Sequence, residues 1–102
     1  MPTKVVYCCS HGGYVISQLC IDRMIELGYQ GECDSFYINH NVKRHDPILI
    51  QAIEDVGLQQ ASGDGGTLAI AVVCGKCYKI DEYDGNEAVI EPKDINWVST
   101  LD

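Results

Sequence analysis

RHDPILIQAIEDVG, residues 44–57, is the stretch from which the fold is read. Asp46 is a helix N-cap, because its carboxylate can accept from the free N–H groups of a first turn. Pro47 then falls at N1, where its missing N–H costs nothing and its φ is already helical. Leu49, Ala52, Ile53 and Val56 recur at helical spacing and predict a buried stripe. Gln51, Glu54 and Asp55 fall on the opposite side. Gly57 is placed to stop the helix in a left-handed conformation. Start, period and stop agree.

Working outward, Lys4 to Cys8 reads as a short buried strand and Cys9 to Gly13 as a loop. Ser17 predicts the N-cap of a second helix, with Ile16 and Ile21 spaced for a hydrophobic staple. Leu19 or Cys20, with Met24 and Leu27, supply its inner face, and Gly28 ends it. Residues 29–43 are ambiguous, with Phe36-Tyr37-Ile38 a candidate strand. Beyond Gly57, a polar glycine-rich connection leads to Thr67–Cys74, apolar on both alternating faces and so expected in the centre of a sheet. Tyr78–Tyr83, Asp84-Gly85 and Glu87–Glu91 read as a hairpin with a two-residue turn. Ile95, Trp97 and Val98 suggest a last short strand. The expected fold is one α+β domain over residues 1–102. Two helices pack on one mainly antiparallel sheet of four to five strands, in the order βα(β)αβββ.

Composition bounds the function. The 102 residues hold 15 acids against 7 Lys and Arg, a net charge of −8. Residues 1–45 carry four acids and four bases, whereas residues 46–102 carry eleven and three. Such a balance argues against direct nucleic-acid binding. It suits solubility, a cation or a basic protein partner. No apolar run reaches the roughly 20 residues of a membrane span. No secretory signal is read at the N-terminus, which predicts a cytoplasmic protein whose six cysteines are reduced or bind metal.

Four groups of residues are candidates for chemistry. Cys74-Gly75-Lys76-Cys77 has the spacing of a zinc knuckle but supplies only two ligands, and a turn of small residues explains it more simply. Without zinc there, no cofactor is expected. Cys8 or Cys9 with His11, on the loop ending in Gly12-Gly13, forms a candidate nucleophile–base pair, against a purely turn-forming role. In the acidic hairpin, a two-residue turn sets Glu82 opposite Glu87. Like charges there are destabilising, so a bulge that shifts the register, exposure, a cation or a basic group on a partner must offset them. Arg44 and His45 precede a helix N-terminus, where they can meet an anion or that hairpin.

The chain also resembles a family of small uncharacterised proteins carried by bacteriophages and large DNA viruses. The residues that carry the likeness are Val5-Val6-Tyr7, Gly12-Gly13-Tyr14, Ser17, Arg44-His45-Asp46-Pro47 to Val56-Gly57, Ala61, and Tyr78 to Glu87 with Val89. The family pattern is a VVYN-like strand, GGF-x-LS, R-x-DP-L with VE-x-LG, and I-x-EYDG-x-E-x-V. Residues 29–43 fall outside it, Cys8 and Cys9 replace polar positions, and CxxC is not part of it. The resemblance implies a viral or phage origin and a host-cell cytosol, and no particular activity. It carries over Gly12, Gly13, Arg44, Asp46, Glu82, Tyr83, Asp84, Gly85 and Glu87. Of these, Arg44, Glu82 and Tyr83 are explained least by structure alone and are expected on a shared surface.

The reading is an accessory protein that binds a host protein or a small charged molecule, as in host takeover or defence evasion. One alternative is an enzyme using Cys8 or Cys9 with His11, or the paired carboxylates, on a phosphorylated or nucleotide-like substrate. Another is an acidic DNA mimic. A homodimer through an exposed sheet edge is compatible with each.

Overall fold

In the computed structural model, residues 3–63, 65–75 and 77–91 are described. They form β1 (Thr3–Cys8), α1 (Gln18–Glu26), α2 (Ser35–Asn41), α3 (Pro47–Val56), α4 (Leu58–Ala61), β2 (Leu68–Val73), β3 (Lys79–Tyr83) and β4 (Asn86–Ile90). The class is mixed α+β. Among the described residues two antiparallel pairs, β1–β2 and β3–β4, stand where a single sheet was expected, and four helices where two were. The expected strand over Ile95, Trp97 and Val98 lies outside the described residues.

The helix over 47–56 forms for the reasons its sequence states. Asp46 Oδ1 accepts from Ile48 N at 2.9 Å and Leu49 N at 3.1 Å. Leu49, Ile50, Ala52 and Ile53 are buried, so the inner stripe includes Ile50, while Val56 is half-buried. Gly57 takes φ 90° with ψ 148°, a positive φ but not the left-handed helical well, and the chain enters α4 at once.

The N-cap of α1 is Ser17, whose hydroxyl accepts from Cys20 N at 3.2 Å. Ile16 and Ile21 are both buried, as a staple requires. Of the two candidates for the inner face, Cys20 is buried and Leu19 is half exposed. Gly28, at φ 103°, closes the helix: its N–H donates to Ile25 O and that of Tyr29 donates to Met24 O, each at 3.0 Å. This is a Schellman cap.

The candidate strand Phe36-Tyr37-Ile38 is helical instead. Asp34 caps α2 by accepting from Tyr37 N at 3.2 Å. His40 Nδ1 and Asn41 Nδ2 donate to the carbonyls of Phe36 and Tyr37 at 2.8 and 3.1 Å. Ile38 is the one buried side chain of the helix. Asn39 Oδ1 accepts from Ile16 N at 2.9 Å, which fastens α2 to the entry of α1.

Burial joins these pieces. Val6, Cys20, Ile21, Met24, Ile38, Leu49, Ile53 and Leu68 belong to one core. Each large aliphatic side chain there contributes about 1.5–3 kcal/mol relative to exposure. Helix α1 packs on α3, and β1 contacts α3, β2 and β4. β2 pairs with β1 from Leu68 opposite Cys8 to Val73 opposite Thr3. Among the described residues it has no second strand neighbour, and Val72 is 55% exposed, so it is not the central strand expected.

Candidate functional site

The hairpin forms as expected. Asp84 (φ 53°) and Gly85 (φ 87°) make the turn, both with positive φ as a type I′ turn needs. Glu82 faces Glu87 directly. The like charges are offset inside the chain. Arg44 Nη1 donates to Glu87 Oε1 at 2.7 Å and Nη2 to Oε2 at 3.0 Å, a bidentate pair. Glu87 Oε1 also accepts from Cys8 N at 2.9 Å. Glu82 is used locally, its Oε2 accepting from Gly85 N at 3.1 Å. The side chains of Arg44 and Glu87 are only 19% and 8% exposed, so this pair is largely withdrawn from water.

Tyr14 completes the junction. The Arg44 guanidinium carbon sits 3.4 Å from the centre of the Tyr14 ring, a cation–π contact. The Tyr14 hydroxyl is buried without a hydrogen-bond partner among the described residues. Burial pushes the phenol well above the usual tyrosine range, and the Arg44 charge opposes that only in part. Tyr14 lies inside the Gly12-Gly13-Tyr14 motif, yet it is not among the surface residues expected from it. An aromatic ring next to a glycine pair was the only signal available.

The glycines have steric explanations. A Cβ on Gly12 would collide with the Gly65 carbonyl, and Gly13 has φ 88°. A Cβ on Gly85 would strike the His11 carbonyl, because the hairpin turn lies against the loop between β1 and α1. There His11 Nδ1 donates to Asp84 O at 3.1 Å. The structure therefore brings Gly12, Gly13, Arg44, Asp84, Gly85 and Glu87 together. Asp46 is the α3 cap. Tyr83 projects from the hairpin at 81% exposed.

The sulfur atoms are arranged differently from the nucleophile–base expectation. Cys8 is buried, and its thiol donates to Ser10 O at 3.2 Å. Burial raises the Cys8 pKa, but hydrogen bonds with the Thr67 and Ser10 backbone and the Ser10 hydroxyl outweigh it, and the net shift is downward. Among the described residues no hydrogen bond joins His11 to Cys8 or Cys9; its ring is used at the hairpin turn. Cys74 and Cys77 are exposed. The turn at Cys74 is held by buried Glu91, whose Oε1 accepts from Cys74 N and Gly75 N at 3.0 Å each. Among the described residues, no three His, Cys, Asp or Glu side chains are grouped to hold a metal.

Beside the Arg44 junction runs a groove of about 700 Å³, between residues 39–45 on one wall and residues 77–80 on the other. His40, Lys43, Arg44, His45 and Lys79 line it, and among the described residues no Asp or Glu does. His45 Nδ1 lies 2.6 Å from the Tyr78 hydroxyl across the groove, and the two rings meet edge to face. Lys79 is lightly held, 3.5 Å from Asp81 on an exposed face. Such a pair is worth at most about 1 kcal/mol and does not withhold the ammonium from a ligand. A smaller cleft of about 240 Å³ lies on the far side of Asn39, His40 and Arg44, towards Tyr14 and Glu82.

A scan against protein-family models and searches of curated proteins and of solved structures each found no match for this chain.

Proposed function

We propose that this chain acts by binding a small anionic molecule in the groove between residues 39–45 and 77–80, as an accessory protein of the phage or viral kind its motifs resemble. One observation carries the proposal. In a chain with 15 acids against 7 Lys and Arg, the groove gathers, among the described residues, two lysines, one arginine and two histidines and no carboxylate. Concentrated positive charge in a concave site raises the local concentration of an anion against the overall charge of the molecule. Arg44 is committed to Glu87, so Lys43, the lightly held Lys79 and the Nε2 side of His45 are the groups left to meet the ligand. Catalysis is not invoked, because the cysteines and His11 contribute nothing to the groove wall except Cys77 at its end.

The test is a chemical-shift titration of the uniformly 15N-labelled protein with inorganic phosphate and pyrophosphate at low salt. Saturable shifts confined to residues 39–45 and 77–80, lost in Lys43→Glu/Lys79→Glu, are expected. Shifts spread over the surface, or unchanged in the double variant, would reject the groove as the site.

A host protein as partner is the second reading, and the hairpin favours it. Tyr83 stands 81% exposed between Glu82 and Asp84, and exposed aromatic rings are frequent anchors of protein interfaces. Capture from host lysate of a protein retained by the wild type and lost with Tyr83→Ser supports this reading. Equal capture by both chains rejects the hairpin tip as its anchor.

A further inference from the structure

The ring system at the rim of the groove bears on what the anion is attached to. Phe36 is 69% exposed on α2, the most exposed large apolar side chain among the described residues after Tyr83. Core packing does not explain it, since α2 is anchored by Ile38 on its other side. Its ring is stacked on His40, with centroids 4.3 Å apart and planes inclined by 29°. His40 in turn lines the groove. The imidazole is fixed a second time by its 2.8 Å hydrogen bond to the Phe36 carbonyl. A carbonyl only accepts, so Nδ1 carries the proton. In the neutral ring Nε2 is then an acceptor, available to an exocyclic amino group or another ligand donor. Tyr78 contributes a third ring on the opposite wall.

Building on the anion-binding reading above, we propose that the groove takes a mononucleotide, its phosphate held by Lys43, His45 and Lys79 and its base stacked on the Phe36–His40 pair. Cationic side chains beside exposed aromatic rings are the chemistry by which proteins hold unpaired nucleotides, the charge taking the phosphate and the rings the base. The volume of about 700 Å³ lies within the roughly 300–1,000 Å³ usual for small-molecule sites. A single nucleotide is favoured over a strand because the chain carries a net charge of −8. A long polyanion would also meet the exposed Asp81 carboxylate, 3.5 Å from Lys79 Nζ, whereas one phosphate needs only Lys43, His45 and Lys79.

Calorimetric titration of the full chain separates the two parts of the claim. The probes are the four nucleoside 5′-monophosphates, ribose 5-phosphate and inorganic phosphate, each against the wild type, Phe36→Leu and Lys43→Glu/Lys79→Glu. Phe36 is exposed, so leucine keeps the fold and removes only the aromatic face. At least one nucleotide is expected to bind the wild type about tenfold or more tighter than ribose 5-phosphate, a factor in the range of one base stack. Phe36→Leu should abolish that advantage and leave ribose 5-phosphate binding unchanged, and the double charge reversal should remove both. Equal affinity for nucleotides and ribose 5-phosphate overturns the base site and leaves the anion groove standing. A nucleotide advantage that survives Phe36→Leu overturns the platform. No binding of any phosphate overturns the groove and the nucleotide together.

Discussion

Replacing Arg44 by methionine should cost far more than the loss of a surface charge. Among the described residues, the substitution leaves the Glu87 carboxylate, 8% exposed, with only the Cys8 amide as partner. Breaking a buried pair from one side costs about 3–5 kcal/mol. Arg44 is 19% exposed, which places the loss near the lower end of that range. Losing the stack on Tyr14 adds about 0.5–1 kcal/mol, because methionine restores only part of the contact. The expected cost is about 3–4 kcal/mol, or roughly 15–25 °C in Tm for a domain of this size. Glu87→Leu should cost a similar amount, since it strands the guanidinium. The double variant removes both charges and with them the desolvation penalty. It leaves the Cys8 amide without its acceptor, worth about 1–3 kcal/mol. The double variant should therefore be more stable than either single one. Urea unfolding of the four proteins closes the cycle. Effects that add within about 0.5 kcal/mol, or a single loss below about 1 kcal/mol, would show that the two groups do not depend on each other and would refute the junction described here.

Three further outcomes follow from the same structure. Alkylation of the native protein with iodoacetamide should label Cys9, Cys33, Cys74 and Cys77 rapidly and leave Cys8 and Cys20 protected, checked by peptide mass mapping; rapid labelling of Cys20 would contradict the packing of α1. Burial pushes the Cys20 thiol up to about 11 from 9.0, so its contribution to stability is complete below pH 9 and falls away as pH rises towards 11; this alkaline loss should be absent from the unfolding profile of Cys20→Ala, and an unchanged profile would remove the thiol as its cause. Gly12→Ala should destabilise by about 3 kcal/mol or more, because its Cβ meets rigid backbone at Gly65; a melting temperature equal to that of the wild type would mean the two loops do not touch.

How much could be read beforehand followed the range of the interactions. α1, α3 and the Asp84-Gly85 turn are specified by neighbours a few residues apart, through Ser17, Gly28, Asp46 and Pro47, and these were legible. α2 was not, because Phe36-Tyr37-Ile38 has strand-like side chains. What makes it helical is the Asp34 cap, two side-chain bonds to its carbonyls and the burial of Ile38 against distant residues. Among the described residues the single sheet is not seen, on a similar point. Alternation along Leu68–Val73 states which side chains face the core and not how many strands stand beside it. At the site, the opposition of Glu82 and Glu87 was readable from the turn. That Arg44 can meet the hairpin was readable from its place before α3; that it pairs with Glu87, 43 positions away, in place of a basic group on a partner had no local signal. The groove was hidden by arithmetic, since its Lys79 comes from the half of the chain whose sum is acidic.

The pairing of β1 with β2 bears on how this chain is made. Thr3 sits opposite Val73, and Val6 donates its N–H to the carbonyl of Arg44. At synthesis rates of about 5–20 residues per second, roughly 4–14 s separate the emergence of Thr3 from that of Val73. Throughout that interval Val5 and Val6, fully buried in the finished protein, belong to an apolar strand that lacks its neighbour β2 on the nascent chain. Helices α1 and α3 can dock on each other meanwhile, since both precede β2. The first strand is thus the segment a ribosome-bound chaperone would meet, and slower translation beyond residue 60 would lengthen that exposure.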